Sequence, residues 1–194
     1  MKSVGAIPPL GFPRGKSGLG FLGVGATELE VDQIFNLGRL RHYNKTIWYG
    51  APGQVDLSLN LDLDGVGTKT FNYSLDIEET PNQAGTCAYY SVTACSDRIT
   101  WTNAIASETF FLDETEYTLE LTGFSPSVGG SLVDEFISQE GGSSDAFLYA
   151  KLTALNPAPT PLPAPLPDAA VPEPASLLAM FGALGGGVWF KRKK

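Results

Sequence analysis

Residues 55–78 read VDLSLNLDLDGVGTKTFNYSLDIE, and apolar residues alternate with polar ones on both sides of Gly65-Val66-Gly67. Alternation of this kind is typical of a half-buried strand, because successive side chains of a strand point to opposite faces. Two such runs joined by a glycine-containing turn predict a long antiparallel hairpin. This hairpin is the clearest periodic feature of the chain.

Shorter strand-like segments lie on both sides of the hairpin. Before it, apolar runs at residues 19–24 and 34–40 are interrupted by glycine, which suits edge or bulged strands. After it, the predicted strands are residues 97–101, 108–112, 115–124, 132–138 and 146–154. Eight or more short strands, with turn residues between them and no amphipathic helix, predict an all-β domain over residues 18–155. Its expected form is an antiparallel β-sandwich, jelly-roll-like.

The segments outside this domain are rich in proline and glycine. Residues 1–17 predict an irregular N-terminal arm. Residues 156–172 contain seven prolines among 17 positions, a composition that favours extended polyproline II. We therefore predict a Pro-rich linker over residues 156–170, roughly 50 Å long at about 3.1 Å per residue, that holds the domain away from a membrane.

Composition and charge narrow the class of protein. The formal charge is −8, only 18% of residues are charged, and no basic cluster occurs before the last four residues. Nucleic-acid binding is therefore not expected, because it depends on basic surfaces. Few charges together with frequent Gly, Thr, Ser and aromatic residues are the balance of an exported β-protein.

The two cysteines, Cys87 and Cys95, are separated by seven residues. In an oxidising compartment such a pair predicts a disulfide, and closing so short a loop would stabilise the fold by about 2–3 kcal/mol. Zinc is the rival interpretation. It is disfavoured because two thiolates without nearby His or further Cys cannot fill a tetrahedral coordination shell.

The C-terminal segment has three parts in order: Val171-Pro172-Glu173-Pro174-Ala175-Ser176, an apolar run to Phe190, and four basic residues. A helix over residues 175–190 would span about 24 Å, slightly less than the ~30 Å hydrocarbon core. The basic residues would stay on the cytoplasmic side. Everything before residue 171 would then lie on the opposite side of the membrane.

These three parts resemble the PEP-CTERM sorting signal of Gram-negative bacteria, over residues 171–194. The resemblance implies recognition by an exosortase, a membrane-embedded enzyme similar to cysteine transpeptidases, with Val171, Pro172, Glu173 and Pro174 as the processing motif. It also implies that residues 175–190 occupy the inner membrane transiently, before release to the cell surface or extracellular matrix. An ordinary C-terminal membrane anchor is the alternative.

Export requires an N-terminal signal, and the first residues do not contain one. Pro8 and Pro9 interrupt the only apolar stretch there, whereas a signal peptide needs an apolar run of about 7–15 residues. We therefore expect the true start to lie upstream.

A second resemblance covers roughly residues 18–155. Its features are, in order, Arg41-His42-Tyr43-Asn44, Ile47, the alternating hairpin, Glu79-Thr80-Pro81-Asn82, Cys87, Cys95 and Asp97. Together they resemble the THxN family of PEP-CTERM proteins, also described as a choice-of-anchor domain. The chain departs from that pattern at Arg41, where Thr would stand. The resemblance implies no assigned catalytic activity.

The candidate site residues each have a structural alternative. For His42 and Asn44 we favour a structural, turn-organising role over ligand contact, and ligand contact over catalysis, because catalysis needs a nucleophile or carboxylate within hydrogen-bond reach. Tyr89-Tyr90, together with Trp48-Tyr49 and Trp101, could form an aromatic platform for sugars. Packing in the core is the favoured role for Trp48 and Trp101.

No metal or cofactor is expected. Residues 60–65, Asn-Leu-Asp-Leu-Asp-Gly, match the opening of a calcium loop, but the twelfth position is Phe71 instead of a bidentate Glu. An alternating strand that ends in a turn explains the same residues. Glu78, Glu79 and Glu108 offer carboxylates, but nothing fixes the separation of about 5–9 Å that glycoside hydrolysis requires.

These patterns lead to one expected function and two alternatives. We expect an exported, exosortase-processed protein of the cell envelope or exopolysaccharide matrix, with a structural or adhesive, non-enzymatic role. Exopolysaccharide is its candidate partner. A secreted carbohydrate-binding module is the first alternative, and a secreted hydrolase is the second.

Overall fold

A computed structural model describes residues 16–47 and 50–156, and every regular element in these ranges is a β-strand. The strands are β1 (Gly18–Gly23), β2 (Phe35–Tyr43), β3 (Gln54–Leu63), β4 (Gly67–Glu78), β5 (Asp97–Trp101), β6 (Ile105–Leu112), β7 (Thr115–Ser125), β8 (Phe136–Ser138) and β9 (Ser143–Ala154). Most of the predicted N-terminal arm, Trp48, and the linker and sorting signal beyond Asn156 lie outside the described residues.

The strands form two antiparallel sheets. A five-stranded sheet has the order β1-β2-β9-β7-β6, and a four-stranded sheet has the order β3-β4-β5-β8. The predicted all-β, antiparallel architecture is therefore confirmed for the described part of the chain. Consecutive strands pair in β1-β2, β6-β7, β3-β4 and β4-β5, whereas β2-β9, β7-β9 and β5-β8 join strands that are distant in the chain. The jelly-roll-like detail stays a prediction.

The hairpin of β3 and β4 is as predicted. Its register runs without interruption from Gln54 opposite Asp76 to Leu63 opposite Gly67. The apolar residues of the two strands are buried, Val55 only partly, and the polar residues of the other face pair across the strands. Ser58 Oγ, for example, donates to Asn72 Oδ1 at 2.7 Å. This alternation directs one face of the hairpin into the core.

The core lies between the two sheets. Three aromatic contacts cross it: Phe71 with Phe110 at 6.2 Å, Trp101 with Phe124 at 4.6 Å, and Phe124 with Phe136 at 6.1 Å between ring centroids. The Tyr73 hydroxyl donates to the Leu119 carbonyl oxygen at 2.7 Å and so satisfies a buried polar group across the same interface. The two sheets therefore pack face to face as a sandwich, and Trp101 packs in the core as expected.

The observed strands differ from the predicted ones mainly at their ends. β2 continues to Tyr43, beyond the predicted end at Leu40, because β1 and β9 both pair with it to that residue. β8 contains only Phe136–Ser138 of the predicted 132–138. The extension of β2 matters for function, because it places His42 inside a strand that has a neighbour on each side.

Gly38 lies at a bulge of β2, where the register with β9 shifts. Its φ of 154° belongs to the region that side chains rarely adopt, and an added Cβ would come within 2.3 Å of the Leu22 carbonyl oxygen. The Gly38 N–H donates to Asn36 Oδ1 at 2.9 Å. The close approach of β1 to β2 therefore requires glycine here.

We predict that Gly38→Ala lowers the free energy of unfolding by at least about 2 kcal/mol, because the backbone must shift to relieve the clash. Gly25→Ala is the matched control, since no atom lies within 4 Å of its Cβ position. It is expected to change stability by less than about 0.5 kcal/mol. Urea denaturation of both variants measures the difference, and equal losses would contradict the packing of β1 on β2.

Candidate functional site

Five of the residues that carry the second resemblance meet at one end of the sandwich. We call this region the polar end. It consists of His42, Asn44, Glu79, Thr80, Asp97, Ser138 and Glu140. These residues come from β2, from β5, from β8 and from the segments that follow β2, β4 and β8. Ser138 and Glu140 were not singled out from the sequence.

His42 is held between three strands. Within its own sheet it pairs with Leu19 of β1 and Ser144 of β9. Its side chain is 1% exposed, and Nδ1 lies 2.9 Å from Ser138 Oγ of the opposite sheet. Burial lowers the pKa of His42 to about 4, because the charged imidazolium is poorly solvated there. The imidazole is therefore neutral near pH 7 and joins the two sheets.

Asn44 continues this connection beyond the end of β2. The side chain is fully buried, and its Nδ2 donates to the Ser138 carbonyl oxygen at 3.2 Å. Its backbone N–H donates to the Gly142 carbonyl oxygen at 3.1 Å. These bonds favour the structural role for Asn44. Its Oδ1 is buried and has no hydrogen-bond partner.

Asp97 begins β5 and is fully buried. Its Oδ1 accepts a hydrogen bond from the Thr80 backbone N–H at 2.9 Å, and the Thr80 hydroxyl donates to the Cys95 carbonyl oxygen at 2.9 Å. Burial raises the pKa of Asp97, while the hydrogen bonds from Thr80 and Asn44 oppose that shift. Asp97 Oδ2 has no hydrogen-bond partner. The buried Asp97 carboxyl group is thus held in place by hydrogen bonds from Thr80 and Asn44.

Two further carboxyl groups lie near Asp97. Burial raises the pKa of Glu79 to about 7, and the charges of Asp97 and Glu140 contribute to the shift. Glu140 Oε1 accepts from the Thr46 hydroxyl at 3.0 Å, whereas its buried Oε2 has no partner. None of the ion pairs in the described ranges involves these three carboxyl groups.

An open cleft borders the polar end. Its volume is about 450 Å³, and it is lined by Ile47, Glu79, Thr80, Pro81, Asn82 and Gln83. Asn82 Nδ2 donates to the Ile47 carbonyl oxygen at 2.9 Å. A smaller cavity of about 70 Å³ includes both His42 and Glu79 in its lining. Glu79 is therefore the member of the polar end that both cavities share.

The loop between Cys87 and Cys95 is closed by the predicted disulfide, with the Cα atoms 5.2 Å apart. Within it the Tyr90 side chain is 79% exposed. The Tyr90 carbonyl oxygen accepts from Ser96 Oγ at 2.9 Å and from Gln139 Nε2 at 3.0 Å. The loop thus holds its backbone in place while it presents the Tyr90 ring to solvent.

Of the residues of the predicted aromatic platform, the structure describes Tyr89, Tyr90 and Trp101, and Trp101 packs in the core. The Tyr89 ring is half-buried and contacts the Arg98 guanidinium, whose carbon lies 5.2 Å from the ring centroid. Trp48 lies outside the described residues. Residues 60–65 are the end of β3 and its turn, as the strand interpretation predicted.

Comparisons with known proteins give no family: no protein-family model matches the chain, and neither does any curated protein. Among residues 16–47 and 50–156, no helix is long and apolar enough to cross a membrane. In the same residues, no group of three or more His, Cys, Asp or Glu side chains is arranged so that it could hold a metal ion.

The buried groups at the polar end predict an unusual pH dependence of stability. His42 stabilises the fold when neutral, so its contribution, on the order of 3 kcal/mol, is lost as pH falls from about 6.5 to about 4. Glu79 has the opposite effect on the pH dependence of stability. Its raised pKa makes the fold lose stability as pH rises from about 4.5 to about 7. The two dependences partly cancel.

We predict that Glu79→Gln removes this cancellation. Its free energy of unfolding, measured by urea denaturation in EDTA, should fall more steeply than that of the wild type as pH is lowered from 7 to 4.5. Glu78→Gln is the control, because Glu78 is an exposed neighbour that pairs with Arg98. If the Glu79→Gln curve runs parallel to those of the wild type and the control, Glu79 is not in the environment described.

Proposed function

We propose that this chain is an exported protein of the cell surface or exopolysaccharide matrix with a structural or adhesive, non-enzymatic role. The observation that carries the proposal is the closure of the polar end. His42, Asp97 and Ser138 are each at most 1% exposed. His42 and Ser138 are hydrogen-bonded to each other and Asp97 to Thr80, and groups that are buried and bonded within the fold contribute to its stability and are poorly placed to meet a substrate.

The same geometry disfavours a secreted hydrolase. A serine nucleophile must be activated by a base and must also meet the substrate. Ser138 lies within 2.9 Å of His42 Nδ1, but its side chain is fully buried. The Ser–His pair therefore fulfils the first requirement and not the second.

The disulfide supports export, because such bonds persist in oxidising compartments. The sorting motif Val171-Pro172-Glu173-Pro174, which lies outside the described residues, supports processing by an exosortase with residues 175–190 in the inner membrane. The proposal therefore joins a folded sandwich to a removable tail. Its partners are the exosortase and, after release, the surrounding polysaccharide.

We predict that a bacterium with an exosortase converts the chain, fused to a cleavable signal peptide, into a shorter form released from the membrane. Glu173→Ala should retain the full-length form in the membrane fraction, because it changes the processing motif. Asp168→Ala in the predicted linker is the control and should be processed normally. Immunoblots of cell fractions measure the ratio of the shorter, released form to the full-length form. Unchanged processing in an exosortase-deletion strain would contradict the proposal.

A carbohydrate-binding module is the second candidate, and the exposed Tyr90 ring favours it. Aromatic faces provide a large contact area for a ligand, and a loop held in place by a disulfide loses little entropy on binding. Charged side chains lie beside the loop. Arg98 pairs with Glu78, at 2.7 Å between Nη2 and Oε2, and with Glu135, at 3.7 Å between Nη1 and Oε2.

We predict for this candidate that Tyr90→Ala weakens binding to a polysaccharide found on a glycan array at least tenfold. The loss reflects the contact area of one ring, since tenfold corresponds to about 1.4 kcal/mol. Phe111→Ala is the matched control, because Phe111 is also exposed, at 65%, but lies on β6. Equal binding by both variants would exclude the Tyr90 loop as the sugar site.

A further inference from the structure

One region of the five-stranded sheet is basic, although the protein as a whole is acidic. The chain has 21 acidic and 13 basic residues. Four of the basic residues lie on β2 or beside β1 and β2: Lys16, Arg39, Arg41 and Lys45. The segments that carry Lys16 and Lys45 are neighbours, because Ser17 Oγ donates to the Lys45 carbonyl oxygen at 2.7 Å. The pairing of β1 with β2 therefore gathers charges that are distant in the sequence.

Strand alternation directs the two arginines to the outer surface of this sheet. Leu40 and His42, which alternate with them in β2, are 1% exposed and point inward. The side chains of Arg39 and Arg41 are 38% and 34% exposed. We call this outer surface the basic face; it consists of Arg39, Arg41, Tyr43, Lys45, Asp145 and Phe147.

The carboxylate of Asp145 pairs with both arginines of the basic face. Arg41 occupies both of its oxygens: Nε donates to Oδ1 at 2.6 Å, and Nη2 donates to Oδ2 at 2.5 Å. Arg39 Nη1 lies 3.6 Å from Oδ2, which is an ion pair without a hydrogen bond. One carboxylate therefore serves two guanidinium groups, and the donors of Arg39 are left for another acceptor.

The other charges of the region are also not neutralised by acidic side chains. Within residues 16–47 and 50–156, no ion pair involves Lys16 or Lys45. Lys45 Nζ donates to the Gly141 carbonyl oxygen at 3.0 Å, at an exposed position, and an ammonium group has three donors. Glu140 is close in sequence to Gly141, but its Oε1 accepts from the Thr46 hydroxyl. The basic face thus carries an excess of positive charge.

The shape of the basic face suits a long, narrow ligand. The outward positions of β1 opposite Tyr43 and Arg41 are Gly18 and Gly20, which have no side chains. On the other side of β2, Phe147 is opposite Arg39 and is half-buried. A strip without side chains therefore lies next to the guanidinium groups, and an aromatic ring lies beyond them.

We propose that the basic face binds a linear polysaccharide whose sugars carry carboxylate groups, as uronic acids do. Arg39 binds one carboxylate through two parallel N–H···O bonds, the geometry for which a guanidinium is suited. Arg41 and Lys45 follow on the same side of β2 and attract further carboxylates along the polymer. The rings of Tyr43 and Phe147 provide contact area for the apolar faces of the sugars.

The acidity of the remaining chain limits the kind of anion that fits. The formal charge is −8, so a broad partner such as an anionic bilayer or duplex nucleic acid would also meet repelling carboxylates around the basic face. A single polysaccharide strand is narrow and follows the face without covering its surroundings. A carboxylated polysaccharide therefore matches both the charge and the width of the face.

This inference rests on the proposed function, which supplies a polysaccharide as the partner, and it names the chemical class of that partner. It also locates the contact on the five-stranded sheet. The loop with Tyr90 instead precedes β5 of the four-stranded sheet, so the two surfaces can be tested separately.

The experiment measures binding of the full-length chain to immobilised polygalacturonate by biolayer interferometry, with immobilised dextran as the uncharged comparison. We expect the wild type to bind polygalacturonate and not dextran. Because the contact is ionic and exposed, a higher salt concentration should weaken it. Vesicles of phosphatidylglycerol, offered in the same assay, test the bilayer as a partner.

Variants locate the site. Arg39→Gln should weaken binding to polygalacturonate by about tenfold, and Arg39→Lys by a smaller factor, because lysine keeps the charge and loses the planar fork. Lys151→Gln is the matched control: it removes one positive charge from the same sheet, but Lys151 lies six residues beyond Asp145 on β9 and pairs with Glu120 at 3.2 Å. Lys151→Gln and Tyr90→Ala should both bind as the wild type does.

Three results would overturn the proposal. The first is a wild-type protein that binds polygalacturonate no better than dextran. The second is an equal loss in Arg39→Gln and Lys151→Gln, which would mean general charge attraction without a site. The third is Arg39-dependent binding to the vesicles without binding to polygalacturonate, which would make the face a membrane contact. None of these results affects export and processing, which the immunoblots of Glu173→Ala measure.

Discussion

A buried hydrogen bond between His42 of β2 and Ser138 of β8 joins the two sheets where the apolar core ends. The two residues are 96 positions apart in the chain, and both are at most 1% exposed. Because neither group can exchange this bond for water, the polar end requires both strands in register. Asn44 reinforces the same junction through the Ser138 carbonyl oxygen.

The position of this junction explains the character of the region around it. Polar groups inside a protein are stable only when they are hydrogen-bonded or neutralised. Thr80 provides such bonds to Asp97, whereas oxygens of Asn44, Asp97 and Glu140 are left without a protein partner. A closed region of this kind is suited to organising loops. The exposed chemistry of the domain lies elsewhere, on the disulfide loop with Tyr90 and on the basic face.

The sequence predicted the parts of the fold that have a local signal. Alternation over residues 55–78 predicted β3 and β4 because a strand with one buried face has a period of two. The cysteine spacing likewise predicted the disulfide. The end of β2 was missed, because its pairing with β1 and β9 decides that boundary, and residues 41–43 contain no apolar run. β8 was predicted too long because its pairing with β5, which covers only Phe136–Ser138, decides its boundary as well.

The candidate site was predicted only in part. His42, Asn44, Glu79, Thr80 and Asp97 stood in motifs, but nothing local connected them to Ser138 or Glu140, which looked like a strand end and a turn residue. Long-range pairing alone brings these groups together. The expectation that no metal binds rested on the cysteines and residues 60–65, and it stays a prediction. The sorting motif and Trp48, outside the described residues, stay predictions.

The most direct test of the closed polar end is an NMR titration of His42, the single histidine of the chain. An imidazole held neutral between the sheets should keep constant ring chemical shifts from pH 8 to about pH 5, because burial lowers its pKa to about 4. Its two ring nitrogens should also show one fixed tautomer. A titration midpoint near 6.5, with averaged tautomers, would show that His42 is exposed to water and would contradict the account.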